Sequence, residues 1–110
     1  MSVINMIDFI QDQIKNHDVV LFIKGTKQFP QCGFSAKVVS IMDHMAVTFK
    51  DINVLENEQL RQNIKDFSNW PTVPQVYICG EFIGGCDIIT EMYHNGDLLT
   101  LLKNKNILAN

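Results

Sequence analysis

The run VVLFI at residues 19–23 constrains the fold more than any other stretch of the chain. It is continuously apolar and rich in β-branched side chains, which is typical of a strand covered on both faces of its sheet. Before it, apolar residues recur at helical spacing, and they are Val3, Ile7, Ile10 and Ile14. This spacing predicts an amphipathic helix over residues 3–16. A strand preceded by such a helix and buried on both faces indicates an α/β fold.

The remaining sequence continues the alternation of helices and strands. The predicted elements are a helix at 33–46, a shorter and less buried strand at 47–54, a helix at 56–68, strands at 72–79 and 81–85, and a C-terminal helical segment from Asp87 that breaks near Asn95 and Gly96. The last two strands form a hairpin around a turn predicted at Gly80-Glu81. Strand–helix–strand alternation implies parallel pairing, and the hairpin adds an antiparallel strand. The order αβαβαββα is that of a thioredoxin-like fold with an extra N-terminal helix, although alternation alone leaves other small α/β folds open.

Length and charge narrow the class of protein. A chain of 110 residues is expected to form one domain over residues 1–110. The net charge of -3 and the absence of a basic stripe argue against nucleic acid as a partner. The chain has no apolar stretch near the roughly 20 residues that span a bilayer, and its first 16 residues resemble neither a signal nor a transit peptide. We therefore expect no membrane partner and a cytoplasmic protein, or a mature organellar matrix form.

Cys32 is the strongest candidate for a functional residue. It lies in the stretch FPQCGFS, where the loop KGTKQFPQ meets the predicted second helix. Free N–H groups at a helix start, together with Lys24 and Lys27, are expected to lower the thiol pKa. The alternative is a cysteine that only packs in the core, but its polar, glycine-containing flanks disfavour that reading. Ser35 stands where a C-x-x-C redox pair would have its second cysteine, and we expect it near the helix start rather than deep in the core.

The stretch KGTKQFPQCGFS resembles the monothiol glutaredoxins, whose active site reads Cys-Gly-Phe-Ser. The resemblance extends over NWPTVPQVYICGEFIGGCDIITEMYHNGDL, residues 69–98, and so covers most of the chain. It implies a thioredoxin-like fold with a four-stranded mixed sheet flanked by helices and an N-terminal extra helix. It also implies a glutathione site built from the Trp-Pro-Thr-Val-Pro segment and the Gly-Gly-Cys-Asp turn.

The proline-containing segment corresponds to one wall of that site. Pro74 matches the family's cis-proline, and X-Pro bonds are those in which the cis form is common; an ordinary trans proline is the alternative. The resemblance assigns the backbone of Val73 to pairing with the cysteinyl residue of glutathione, as an added strand would pair. Trp70 is expected in the core or as a lid near the site.

The remaining glutathione contacts implied by the resemblance come from four residues. The amides of Cys86 and Asp87 correspond to those that hold the γ-glutamyl carboxylate, with the Asp87 side chain for its α-ammonium group. Lys24 and Arg61 correspond to the family's basic residues for the glycyl carboxylate and the region of the sulfur. Asp87 could instead be a helix N-cap, and Arg61 could be a solvated charge.

The resemblance also implies the function. Proteins with this motif carry a [2Fe–2S] cluster, and four sulfur ligands would come from Cys32 and glutathione of each of two protomers. Such a homodimer would transfer the cluster to acceptor apoproteins and work with BolA-like partners. The alternative is a glutathione-dependent thiol oxidoreductase that deglutathionylates proteins, although the insertion GTKQF is a feature of the monothiol class that is expected to lower reductase activity.

Other candidate residues are given structural or incidental roles. Cys79 is read as an incidental thiol, and Cys86 either stays free or forms a disulfide with Cys32, as some members of the class allow. The three histidines, which lack metal-ligand spacing, are read as surface or interface residues: His17, His44 and His94. Phe34 is expected to face inward and anchor the second helix.

Overall fold

The helices and strands follow the predicted order along the chain. The computed structural model describes residues 5–109. Its elements are α1 (Met6–Asn16), β1 (Val19–Ile23), α2 (Gly33–His44), β2 (Lys50–Asn53), a short 3-10 helix (Val54–Glu56), α3 (Glu58–Ser68), β3 (Gln75–Ile78), β4 (Glu81–Gly84), α4 (Cys86–Asn95) and α5 (Asp97–Asn104). The predicted C-terminal helical segment is thus two helices, which meet at Gly96 in a left-handed conformation.

The four strands form one mixed sheet in the order β2-β1-β3-β4. β1 pairs in parallel with β2 and antiparallel with β3, and β3 pairs antiparallel with β4. All five residues of β1 are buried, as the apolar run VVLFI predicts. The expected four-stranded mixed sheet with flanking helices and an extra N-terminal helix is confirmed.

Side chains of β1 alternate between two apolar clusters, one on each face of the sheet. Leu21 and Ile23 pack in a cluster with residues of α2, α4 and α5. Val20 and Phe22 pack in the other, with residues of α1 and α3. This period-2 alternation explains why a continuous apolar run was needed at the centre of the sheet. Among residues 5–109, none of the helices has the length and apolar content needed to cross a bilayer.

Several predicted boundaries differ from the structure. Val3 lies outside the described residues, and β2 begins at Lys50 rather than at residue 47. The hairpin turn is Cys79-Gly80, not Gly80-Glu81, and Glu81 already belongs to β4. Cys79 and Gly80 have φ values of 50° and 83°. Two-residue hairpin turns favour positive φ at both central positions, so the turn falls on this pair.

The loop between β1 and α2 is fastened to the end of β2. The backbone N–H of Gly25 donates to Asn53 Oδ1 at 2.9 Å, and that of Lys27 donates to Asp51 Oδ2 at 2.8 Å. Gly25 also forms a bridge with Pro30 across the loop. The loop that leads to Cys32 is therefore held by β2 and by a bridge between its own two ends.

Gly25→Ala should destabilise the protein, because Gly25 has a φ of 94° and an added Cβ would lie 2.5 Å from Phe29 O and 2.6 Å from Gln31 N. We expect the free energy of unfolding in urea to fall by about 2 kcal/mol or more. Gly33→Ala is the matched control, because nothing lies within 4 Å of its added Cβ. Equal unfolding midpoints for the two variants would contradict this reading of the loop.

Candidate active site

Cys32 is the N-cap residue of α2, directly after the loop. Its backbone is extended, with φ -146° and ψ 138°, and its carbonyl accepts the first helical hydrogen bond from the N–H of Ala36 at 2.9 Å. The thiol is half-buried and free. The prediction that Cys32 lies at a helix start is confirmed. Cys32 is not a buried core cysteine, which was the alternative.

The pKa of the Cys32 thiol is lowered from its ordinary value. The largest cause is the backbone N–H of Ser35. Burial of the sulfur has a smaller, opposing effect. The N–H of Phe34, the charge of Lys24 and the hydroxyl of Ser35 lower the pKa further. The side chain makes no capping hydrogen bond, so these donors act through their orientation toward the sulfur. Lys27, which was expected to contribute, is not among the causes. Its ammonium group lies 5.0 Å from the centre of the Phe49 ring.

Ser35 fastens the start of α2 to the end of β1. Its side chain is fully buried, and its Oγ accepts a hydrogen bond from the backbone N–H of Lys24 at 3.1 Å. The expectation that position 35 lies outside the core is therefore wrong. The inward face of α2 runs through Ser35, Val38 and Met42, so its first turn already faces the core.

Phe34 is a further correction. It was expected to point inward as an anchor, but 62% of it is exposed, because the inward register passes through its neighbour Ser35. Phe29, on the other side of Cys32 in the chain, is 73% exposed. The thiol is thus flanked in the chain by two exposed aromatic side chains, an exposure that was not predicted from the sequence.

A cavity of about 220 Å³ lies beside the active-site helix. It is lined by Phe34, Trp70, Thr72, Val73, Pro74, Gly85, Cys86, Asp87 and Ile88. The structure therefore brings together the two segments that sequence analysis assigned to one site. Larger hollows of about 510 and 610 Å³ lie beside His17 and Asp18 at the start of β1, far along the strand from the thiol, and include none of the predicted site residues.

The proline-containing wall of the cavity precedes β3. The Val73-Pro74 bond is cis, as predicted. Val73 lies two residues before Gln75 and has no partner in the sheet register of the described strands. Trp70 is half-buried and lines the cavity, which agrees with a place beside the site rather than in the core.

The opposite wall is the start of α4. Gly85 is the N-cap of this helix, and no side chain caps it, so Asp87 is not the N-cap. Asp87 is exposed in the first turn. A Cβ on Gly85 would lie 3.1 Å from Pro74 O and 3.4 Å from the indole nitrogen of Trp70, so glycine at residue 85 helps the two walls to lie close together.

The two basic residues implied by the resemblance have different positions. Lys24 directly follows β1 and acts on the Cys32 thiol through its charge. Arg61 lies on α3, where its Nη1 is 3.9 Å from Glu58 Oε2, and it does not line the cavity beside the active-site helix. The structure thus links Lys24 to the thiol but does not bring Arg61 to this cavity.

The cysteines are free thiols in the structure: Cys32, Cys79 and Cys86. The Cys86 sulfur lies 3.9 Å from Thr90 Oγ1, and Cys79 is exposed in the hairpin turn. Over residues 5–109, no group of three or more His, Cys, Asp or Glu side chains is placed to hold a metal ion. The described residues therefore offer one thiol with a lowered pKa, two positions before Phe34 at the edge of the cavity.

Lys24→Met should raise the pKa of the Cys32 thiol, because it removes a positive charge that favours the thiolate. The measurement is the rate of alkylation of Cys32 against pH, in a protein whose other two thiols are changed to serine. We expect the midpoint of that profile to move to higher pH. Lys37→Met is the control and should leave the midpoint in place, since Lys37 is not among the groups that act on the thiol. An unchanged midpoint in Lys24→Met would refute this electrostatic role.

Comparisons with known proteins agree with this architecture. The glutaredoxin family model matches residues 19–83, more than half of the chain. The probable monothiol glutaredoxin 2 of Rickettsia felis is 57% identical over 96 residues, covering 87% of this chain and 92% of that protein. The solution structure of reduced poplar apo GrxS14 is 49% identical, with a TM-score of 0.81 over 91% of this chain and 92% of that one.

A buckwheat glutaredoxin, solved as a complex with glutathione, has a TM-score of 0.83 over 94% of this chain and 93% of that one, at 23% identity. At that identity it supports the fold alone. Together with the family match and the Rickettsia relative, the fold and the single Cys-Gly-Phe-Ser cysteine establish the family. The chain belongs to the glutaredoxins, in their monothiol class.

Proposed function

We propose that the protein binds a [2Fe–2S] cluster between two copies of the chain and transfers it to acceptor apoproteins. The observation that carries this proposal is the half-buried Cys32 thiol, whose pKa is lowered, at the start of the helix whose Phe34 lines the cavity. A [2Fe–2S] cluster requires four sulfur ligands. One Cys32 and one glutathione from each protomer would supply them.

The cavity has the chemistry that glutathione requires. The main chain of Val73 has no partner in the sheet register and is available to pair with a peptide backbone. The N-terminal amides of α4 at Cys86 and Asp87 lack a side-chain cap and suit the γ-glutamyl carboxylate. The exposed Asp87 carboxylate suits its ammonium group. The analogy to glutathione rests on the family match over residues 19–83; the buckwheat glutaredoxin is a protein of this fold that was solved with glutathione.

Lys24 and Arg61 would complete the glutathione site, and the Arg61 side chain would have to move to do so. Lys24 at the end of β1 is close enough to affect the thiol and would attract the glycyl carboxylate. Arg61 is held by a weak, exposed pair with Glu58, and such pairs stabilise by about 1 kcal/mol or less. Its Nε atom is buried without a hydrogen-bond partner among the described residues, so the side chain would have to turn to bind glutathione, and we assign it the outer edge of the site.

Partners would meet the Cys32 face. Exposed Phe29 and Phe34 supply apolar contact area next to the thiol, which suits a second protomer, a BolA-like protein or an acceptor. Aromatic side chains of this size contribute much of the energy of protein interfaces.

Deglutathionylation of proteins is the second candidate function, favoured by the lowered pKa of Cys32. The Cys32 thiolate would attack the glutathione sulfur of a mixed disulfide and release the protein thiolate. A second glutathione thiolate would then attack the new mixed disulfide, releasing glutathione disulfide and regenerating Cys32. Ser35 provides no thiol that could take over this second step.

Cys32→Ser should abolish cluster binding, because it removes the only thiol that lies at the start of α2. The measurement is visible absorbance after anaerobic reconstitution with iron, sulfide and glutathione. Cys79→Ser is the control and should bind as the wild type does, since Cys79 is in the hairpin turn away from the cavity. Reconstitution without any small thiol should also fail. A normal cluster in Cys32→Ser would overturn the proposal.

Ser35→Cys should speed turnover of a small glutathionylated substrate and shorten the life of the cluster in air. A second thiol one helical turn from Cys32 could resolve mixed disulfides and oxidise together with the ligand. We also expect a loss of about 1 kcal/mol of stability, because sulfur is a weak acceptor for the Lys24 N–H. Turnover assays, cluster decay and urea unfolding measure the three effects. Wild-type cluster lifetime without added reductase activity would contradict our account of the missing cysteine.

A further inference from the structure

Two polar side chains are buried in the described core, and both lie beside the site. One is Ser35, on the thiol side. The other is Gln75, the first residue of β3, which is 0% exposed. An amide buried without partners would cost several kcal/mol, so its contacts indicate what it does. In the sequence alone, Gln75 carries no sign of this burial.

The Gln75 amide holds the chain that forms the proline-containing wall. Its Nε2 donates to the carbonyl oxygen of Trp70 at 3.3 Å and to that of Thr72 at 3.1 Å. Both acceptors are carbonyl oxygens, so the amide nitrogen must face them, since an oxygen in that place would be repelled. These bonds span the segment that leads into Val73 and the cavity.

Tyr77 fixes the other end of the same amide. Its hydroxyl donates to Gln75 Oε1 at 3.3 Å. Burial raises the pKa of Tyr77 to about 12, so the hydroxyl keeps its proton at neutral pH and remains a donor. The ring packs between Phe22 and Phe82, with centroids 5.6 and 5.5 Å away. The amide is therefore oriented by a side chain that cannot easily move.

Few other contacts restrain this segment. The backbone N–H of Trp70 donates to Lys65 O at 3.2 Å and to Ser68 Oγ at 3.1 Å, which fastens the start of the segment to the end of α3. The indole N–H of Trp70 is buried and has no hydrogen-bond partner among the described residues. Between Trp70 and β3, the Gln75 amide is therefore the principal polar anchor.

We propose that Gln75 is a positioning residue for glutathione: by holding the carbonyls of Trp70 and Thr72, it presents the backbone of Thr72 and Val73 to the ligand. This inference rests on the proposed glutathione site. Gln75 itself lies behind the cavity wall and does not line the cavity, so it acts through the residues that it holds. A preorganised wall lowers the entropy lost on binding.

Gln75→Met tests the proposal, because methionine fills a similar volume but donates no hydrogen bond. Loss of two neutral hydrogen bonds that order the wall is expected to weaken glutathione binding about tenfold. Trp70 is the only tryptophan in the chain, so its fluorescence reports directly on the wall. Without glutathione, we expect acrylamide to quench Trp70 more strongly in Gln75→Met than in the wild type.

Tyr77→Phe is the second variant, because it removes only the hydroxyl that orients the amide. We expect smaller changes of the same sign, about threefold in glutathione affinity. Val76→Ala is the control. Val76 is buried in the same strand but belongs to the cluster on the opposite face of the sheet, so this variant should lower stability without changing affinity or quenching. Alkylation of Cys32 should keep its wild-type pH profile in all three proteins.

The outcomes separate this inference from the proposed function. Wild-type protein that fails to bind glutathione would refute the proposed site, and unchanged Trp70 quenching in Gln75→Met would still refute the positioning role. Wild-type affinity in a folded Gln75→Met would overturn the inference. An equal loss of affinity in Val76→Ala would do so too, since it would make the effect one of general stability. If Gln75→Met does not fold, Tyr77→Phe becomes the test. Wild-type glutathione affinity and wild-type Trp70 quenching in that variant would refute the positioning role of Gln75.

Discussion

The hydrogen bond from the Lys24 N–H to the Ser35 hydroxyl connects the active-site helix to the centre of the sheet. β1 is buried on both faces, so its last residues have a fixed position. The 3.1 Å bond to Ser35 ties the first turn of α2 to that strand, and the start of α2 places the Cys32 sulfur. The amides of Ser35 and Phe34 then face the sulfur and lower its pKa. Serine at this position thus has a structural role besides the absence of a second thiol.

The active-site helix and the proline-containing wall are each supported by one buried polar side chain. Ser35 holds the start of α2 through the Lys24 N–H, and Gln75 holds the proline-containing wall through two carbonyls. Both contacts join an irregular segment to a rigid strand or helix. An arrangement of this kind suits a protein that must hold a small peptide beside a reactive sulfur, because the ligand then meets a surface that is already ordered.

Much of the fold could be predicted because the spacing of apolar residues along the main elements indicates which of their faces are buried. β1 was predicted with its observed bounds, since a run of five apolar residues between polar segments has one plausible strand. Cys32 could be placed because the loop ends at a recognisable helix start.

The hairpin turn was misplaced because it depends on Cys79 adopting a φ of 50°, which an unbranched cysteine does not signal. Phe34 was misplaced because hydrophobicity suggested an inward face, whereas tertiary packing gave that face to Ser35. Gln75 was overlooked because a glutamine at a strand start reads as exposed until its partners are known.

The central claim is that one thiolate from this chain and one from glutathione, contributed by each of two protomers, hold the cluster. Native mass spectrometry of the anaerobically reconstituted protein tests it most directly. The account predicts a mass equal to two chains, two glutathiones and one [2Fe–2S] cluster, which falls apart to single chains when the cluster is lost. A cluster carried by a single chain, or by a dimer that contains no glutathione, would contradict it.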